Sequence, residues 1–317
     1  MDLEIRHLRA ICAIADAGSL SKAAVHLGIT QPALTTLLQR IERSVGGPLF
    51  VRGRTGIQPT ALGEQAAARA RLVLSELDGF IGSITHGDRK NREILLGSAH
   101  MECVGSMLTY VRQALPDTEF ALQVEPSAVV LAQALAHRRL DIALIGFMED
   151  QGVPLASDLA QRTFIPRLPV LLAISAQHPL AVRDDIELAD LRDEFWICPP
   201  GADDGSLTSL RTACHDAGFE PKIRYQVPSG GGRPLISSGQ AVQLVEPSSN
   251  PLGGIAIRRL TGDPLGMRLV FAWRRQSITD ARAGAIYGAA AKAYAEAATA
   301  SPAYAPWWYA HPEVHPC

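Results

Sequence analysis

The stretch LSKAAVHLGITQPALTTLLQ, running from Leu20 to Gln39, decides how the front of this chain folds. Ser19, just before it, supplies an N-cap hydroxyl for a short helix to about His26, and Gly28 supplies the left-handed turn residue that ends that helix. Thr30 caps a second helix to about Val45, in which Pro32 is tolerated because first-turn amides have no intrahelical acceptor to lose. Ala24 is small where two helices must cross, and Leu27, Ile29, Leu34 and Leu37 are spaced to fill a shared core. Each constrained position of a helix-turn-helix is met. Such a turn sets the second helix where its first residues can enter a DNA major groove, while the first helix spans the backbone.

The flanking residues extend the pattern. Residues 6–17 place Leu8, Ile11, Cys12 and Ala15 on one apolar stripe that Gly18 ends. Between Gly46 and Pro59, Leu49-Phe50-Val51-Arg52 is strand-like, Gly53 to Gly56 is a turn and Ile57-Gln58 can pair back, which gives a small hairpin with basic residues at its tip. From Thr60 a long helix carries Leu62, Ala66, Ala70, Val73, Leu77, Phe80 and Ile84 at steps of three and four. That spacing suits a seam between two such helices, and equally a helix lying on its own domain; Glu64, Arg69, Arg71 and Glu76 on the other faces favour the seam. Residues His86 to Asn91 then read as a hinge.

After residue 92 strands alternate with helices. Short apolar segments at Ile94–Gly97, Phe120–Val124, Ile142–Ile145, Val170–Ser175, Phe195–Cys198, Ile223–Val227, Ile236–Gly239, Val242–Val245 and 268–274 are separated by helical patterns over Met101–Leu115, Val129–His137, Ser206–Gly218 and Ile278–Ala300. This rhythm predicts parallel sheet covered by helices. The segment from Ser301 carries four prolines and the Trp307-Trp308 pair, and reads as an ordered cover or a loose terminus.

Composition bounds the function. A chain of 317 residues suits about two or three domains. An apolar share of 47% and a charged share of 20% exclude a disordered or collagenous chain, and no stretch approaches the roughly 18 consecutive apolar residues of a membrane span. The opening Met1-Asp2-Leu3-Glu4-Ile5-Arg6 lacks the basic and apolar regions of a secretory signal, so a cytoplasmic protein is expected. The formal charge of -2 argues against a nucleic-acid partner until the chain is divided: residues 1–90 hold eleven basic against eight acidic residues, and the remainder nineteen against twenty-four. A weakly basic head sits on an acidic body.

With these residues in view, the sequence resembles the LysR-type transcriptional regulators. The likeness is dense over residues 3–65, at Leu8, Gly18-Ser19, Ala23-Ala24, Leu27, Thr30 to Thr35, Ile41-Glu42, Gly46, Leu49-Phe50, Arg52, Thr60 and Gly63. It continues more loosely in Leu140 to Ala143, His178-Pro179-Leu180, Ala217-Gly218-Phe219 and Gly239 to Val242. The resemblance implies an α/β multidomain chain: an all-α winged helix-turn-helix head (1–59), a long linker and dimerisation helix (60–88), a two-lobed α/β effector-binding domain (92–300) and a C-terminal tail (301–317). The first lobe would be about 92–165 with 268–300 and the second about 166–267, joined by crossing strands near Phe164–Val170 and Leu265–Leu269. Implied partners are double-stranded operator DNA, a small-molecule effector, one or three further copies of the chain as homodimer or homotetramer, and RNA polymerase.

In the head, the Gln31 amide can present paired donor and acceptor to an adenine edge from the first turn of the reading helix. Ser21, Pro32, Ala33, Thr35 and Thr36 share that surface, Arg40 suits a phosphate, and Arg52 and Arg54 on the wing reach backbone or minor groove. The family often carries Arg and Gln where this chain has Thr36 and Leu37, which thins the expected base contacts. For the effector, ligands bind beyond the carboxyl ends of strands, which selects Ser98, Ala99, His100, Met101, Ser127, Gly146, Phe147, Pro200, Gly201, Ser229 and Gly230. Helix starts near Met101 and Val129 make a small carboxylate reasonable, while Phe147 and Met101 equally suit an aromatic ligand. No cofactor is expected.

Other classes find less support. The chain holds no G-x-S-x-G, Walker A, H-E-x-x-H or G-x-G-x-x-G motif, so no catalytic residue is selected and an enzyme is not expected. Cys198 and Cys214 invite a thiol-switch alternative, which needs an accessible, electropositive thiol with a resolving partner. His311, Glu313, His315 and Cys317 are a conceivable metal set in a segment expected to be loose.

Overall fold

A computed structural model describes residues 3–53, 56–85, 93–152, 155–199, 205–227, 230–251 and 253–316, with the side chains of all but 52, 53, 56, 72, 75, 76 and 78–85. The chain divides into two units, Met1–Thr85 and His86–Cys317.

The first unit contains α1 (Ile5–Ala17), α2 (Leu20–His26), α3 (Gln31–Val45), the antiparallel pair β1 (Phe50–Gly53) and β2 (Gly56–Pro59), and α4 (Ala61–Thr85). Its boundaries are chemical. The Ser19 hydroxyl caps α2 at the Lys22 amide, the Thr30 hydroxyl caps α3 at the Ala33 amide, and Gly18, Gly28 and Gly46 end their segments with φ of 57°, 66° and 82°. Ala23, Ala24, Leu34, Ile41 and Leu49 form the core. Three expectations shift. Ile29 is 39% exposed and Leu27 and Leu37 are half-buried, so the core draws less on the turn than the template suggests. Helix α1 buries His7, Ala10, Ile11, Ala13 and Ile14 instead of the Leu8, Cys12 and Ala15 stripe, because α2, α3 and α4 all pack on it. Helix α4 buries Ala67 and Ala70 while Leu62 and Val73 stay 40% and 50% exposed, so it lies on its own unit and keeps a second apolar edge. Phe80, Ile84, Glu76, the Arg52 side chain, Arg54 and the hinge at 86–91 lie outside what is described.

The second unit runs β3 (Glu93–Ser98), α5 (Val104–Ala114), β4 (Glu119–Val124), α6 (Ala128–Ala136), β5 (Ile142–Met148), β6 (Leu159–Pro169), β7 (Leu171–Ser175), β8 (Asp185–Ile186), β9 (Phe195–Cys198), α7 (Ser206–Asp216), β10 (Lys222–Gln226), α8 (Arg233–Ser237), β11 (Val242–Val245), β12 (Ile255–Leu260), β13 (Gly266–Arg274), α9 (Asp280–Ala300) and α10 (Ala305–Ala310). Two sheets result, ordered β4-β3-β5-β13-β6 and β10-β9-β11-β7-β12-β8. Each has a parallel core, β4-β3-β5 and β10-β9-β11, but each is mixed rather than wholly parallel. Strand β13 runs antiparallel to β5 and β6, and β7 antiparallel to β11 and β12, because the chain passes between the sheets twice, through β6 into β7 and through β12 into β13. Strand β5, covered on both faces, is buried at every residue, which explains its unbroken apolar sequence. Ile236 belongs to α8, whose first turn accepts Pro234, and not to a strand.

The end of the chain is an ordered cover. Tyr304 and Trp308 are buried against Tyr294 of α9 with Trp307 stacked on Tyr304, while His311 stacks on Trp307 at 4.1 Å and His315 on Trp308 at 3.9 Å. Trp307 Nε1 donates to Asp263 Oδ2 at 3.0 Å and Ser301 Oγ to the Pro247 carbonyl at 3.0 Å, which tie the cover to loops of the six-stranded sheet. The loose-terminus reading is thereby corrected: paired aromatic rings supply the apolar area that holds it.

Candidate functional site

On the first unit, Gln31, Pro32, Ala33, Thr36 and Arg40 are exposed along α3, with Thr35 half-buried among them. Ser21 Oγ, on α2, donates to Gln31 Oε1 at 2.8 Å, which orients the Gln31 amide group and leaves its NH2 free to face outward. Thr35 and Thr36 hydroxyls turn back to the carbonyls of Gln31 and Pro32 at 2.9 and 3.0 Å, so each offers its oxygen as an acceptor outward. The base of the wing is held by Glu42, one of the residues that carry the family resemblance: its Oε1 accepts from the Leu49 and Phe50 amides at 2.8 and 3.2 Å. Thr60 caps α4 by accepting from the Gly63 amide at 3.0 Å and donates to the Pro48 carbonyl at 2.7 Å, which fastens the wing to the long helix.

On the second unit, a cavity of about 200 Å³ opens between the carboxyl ends of β3 and β5 on one sheet and those of β9 and β11 on the other. Ala99, His100, Gly146 and Gly230, all selected from strand ends, line it. Others do not. Strand residues alternate between faces, so Gly146 and Met148 face the cavity while Phe147 faces α6 and lies under the Arg268 guanidinium, 4.4 Å from its ring centre. Ser98 and Met101 are buried outside the lining, and Ser127 is occupied in capping α6 at the Val130 amide, 3.0 Å away. Pro200, Gly201 and Ser229 lie outside the described residues; their neighbours Cys198 and Pro199 are in the wall.

The polar groups of the cavity were mostly not foreseen. Glu102, Arg233, Gln243 and Glu246 line it beside the apolar Ala173, Ile197, Leu210, Ile236 and Ile257. Arg233 pairs with Glu102 at 3.1 Å. Glu246 accepts from the Tyr294 hydroxyl at 3.0 Å and from the Ser248 hydroxyl, and its carboxyl is pushed above the ordinary carboxylate range by burial. One signal was available: Glu246 follows β11 directly, so the strand-end rule that selects Ala99 also selects it.

The thiols are set against redox chemistry. Burial pushes Cys214 up to about 12, with Glu220 and Cys198 adding to it, and Cys103 also to about 12. Cys198 is buried too. A sensing thiol needs the opposite, an exposed and stabilised thiolate. Among the described residues no group of three His, Cys, Asp or Glu is placed to hold a metal, and no described helix is long and apolar enough to cross a membrane.

Two family models account for these features. Residues 5–64 match the bacterial regulatory helix-turn-helix protein model of the lysR family, and residues 96–294 match the LysR substrate binding domain. The chain belongs to the LysR family of transcriptional regulators. It is 38% identical over 311 residues to the small neutral protease regulatory protein of Streptomyces coelicolor, covering 97% of this chain and 92% of that one. It is 28% identical over 289 residues to the transcriptional regulator BudR of Raoultella terrigena, covering 86% and 95%. Among solved structures, full-length BenM shares the fold with a TM-score of 0.52 at 22% identity, over 93% of this chain and 97% of that one. Full-length CbnR in complex with its target DNA shares it with a TM-score of 0.51 at 20% identity, over 92% and 100%.

Proposed function

We propose that this regulator works in the cytoplasm as a homo-oligomer that binds operator DNA through α3 and is switched by a small molecule in the cavity of the second unit, with no catalytic step. The observation that carries the DNA-binding part is the exposed first turn of α3, where Gln31 is oriented by Ser21 and flanked by Pro32, Ala33, Thr35, Thr36 and Arg40. Arg52 and Arg54 would add phosphate or minor-groove contacts from the wing. The exposed Leu62 and Val73 edge of α4 supports pairing of two copies along that helix. The cavity between two sheets, mostly apolar with a few polar side chains in its wall, supports an effector site. The two lobes are residues 92–165 with 268–300, and 166–267, and closing them on a ligand would change how copies pack, and through that the spacing and bending of bound DNA and the access of RNA polymerase.

The relatives' name points to a target: a neutral protease gene, if the host carries one, alongside the gene's own upstream region. Gel shifts with the purified full-length chain on both DNA segments, repeated with candidate metabolites, test this. Retarded complexes that resist scrambled competitor, and whose affinity changes with one metabolite, are the expected result. Effector and operator affinities that prove independent of each other would sink the switching mechanism, since a ligand with equal affinity for both states shifts nothing.

A further inference from the structure

The walls of the cavity bear on the chemistry of its ligand. Among the lining residues the carboxyls of Glu102 and Glu246 face a single guanidinium, that of Arg233, and Arg233 is already bound to Glu102 at 3.1 Å. Glu246 has no cationic partner among the described residues. Its oxygens accept the Tyr294 and Ser248 hydroxyls and the Ser248 amide, so of a carboxylate's roughly four lone-pair sites one remains available. The groups around it feel its field: Cys103, Tyr294 and Tyr304 are all raised, burial first and the Glu246 charge among the further causes, and Glu246 itself is raised by burial and by Glu102.

The helix starts give an anion little among the described residues: the Val130 amide of α6 is taken by Ser127, which stands outside the lining, and Glu102 sits just before α5. The remaining wall sets hydrocarbon from Ala173, Ile197, Leu210, Ile236 and Ile257 beside His100 and the neutral polar side chains of Ser206, Gln243, Ser249 and Asn250.

We infer that the effector of this regulator is a compact apolar amine, whose protonated nitrogen pairs with Glu246 while its hydrocarbon part fills the space between the two sheets. The inference rests on the cavity being the effector site. A cation there restores the charge balance that Arg233 leaves incomplete, and it would hold Glu246 in its ionised form. A carboxylate of the same shape would meet two acids, and would enter only if Glu246 gained a proton.

The test uses the purified full-length chain and two matched series of probes: benzylamine, benzyl alcohol and benzoate, and hexylamine, hexanol and hexanoate. Binding is followed by calorimetry and by thermal shift, on the native chain and on Glu246→Gln, which keeps one acceptor oxygen, turns an NH2 to the other hydroxyl and removes the charge. The expected result is amine binding that exceeds that of the matched carboxylate, and that falls about tenfold or more in Glu246→Gln while the alcohols are unaffected. Carboxylates that bind as well as the amines, or no amine binding on either skeleton, overturn the ligand class. A third variant, Ser249→Trp, fills the mouth of the cavity, with Asn250→Trp as its substitute should that chain fail to fold. Probes whose binding survives the filled cavity overturn the cavity as effector site, whereas a carboxylate that binds and is displaced by the filling overturns only the ligand class.

Discussion

Replacing Gly63 by Ala probes the junction on which the DNA-binding unit depends. Gly63 lies in the first turn of α4, pressed on the wing, and a Cβ built there overlaps the Leu49 carbonyl oxygen and stands 2.8 Å from its carbonyl carbon. The obstacle is backbone, and Leu49 is fully buried, so no flexible side chain can yield. The Leu49 carbonyl also accepts from the Thr60 amide at 2.9 Å and from the Thr60 hydroxyl at 3.3 Å, and moving it stretches both. Overpacking of this kind costs about 1–3 kcal/mol. Weakening two hydrogen bonds adds about 1 kcal/mol each, and the better helix propensity of Ala returns about 1 kcal/mol. The net loss is about 2–4 kcal/mol, which for a unit of this size lowers its melting temperature by about 8–32 °C. Differential scanning calorimetry of the full chain, with the lower transition assigned by its circular dichroism, measures it. Gly284→Ala is the control, since that glycine is exposed on α9 with nothing within 4 Å, and it should gain about 0.5–1 kcal/mol. A Gly63→Ala chain that melts within about 2 °C of the native one would show that α4 is not clamped to the wing as described.

Gln31→Ala is expected to reduce discrimination between operator and scrambled DNA by about 1–3 kcal/mol, whereas Arg40→Ala weakens both alike and lowers the salt slope by about one; anisotropy titrations at several salt concentrations separate the two. Equal losses on both DNAs for Gln31→Ala would remove it from the reading surface. Trp308→Ala, which deletes a buried ring stacked on His315 and packed on Tyr294 and Tyr304, should destabilise the second unit by about 3–5 kcal/mol in urea titration, and a loss under about 1 kcal/mol would mean the cover contributes little. Alkaline pH should also destabilise this unit. Cys103 and Cys214 are raised from an ordinary 9.0 to about 12, so their contribution is complete below pH 9 and is lost as pH climbs towards 12; a urea midpoint that stays level between about pH 8 and 10.5 would contradict their burial.

What the sequence disclosed of the fold was local. The caps at Ser19 and Thr30, the helix-ending Gly18, the left-handed Gly28 and the two-residue alternation of strands depend on neighbours a few positions away, and were read directly. Which residues of α1 are inside could not, since that depends on the three helices that surround it. The site divides the same way. Strand ends selected Ala99, His100, Gly146 and Gly230, but the Glu102–Arg233 pair joins residues 131 positions apart and Tyr294 reaches Glu246 across 48. Neither pairing leaves any periodic mark. The mixed strand order has the same origin: strand direction follows from two passages between sheets, which alternation alone does not reveal.

The aromatic cover at the end of the chain has a genetic consequence. The family model stops at residue 294, yet Tyr304, Trp307, Trp308 and Val314 belong to the same core cluster as Phe164, Phe271 and Tyr287. A stop codon at Tyr304 would spare every DNA-reading and cavity-lining position named above and would still bare the face of α9. Late nonsense alleles of this gene should therefore behave as loss-of-function alleles.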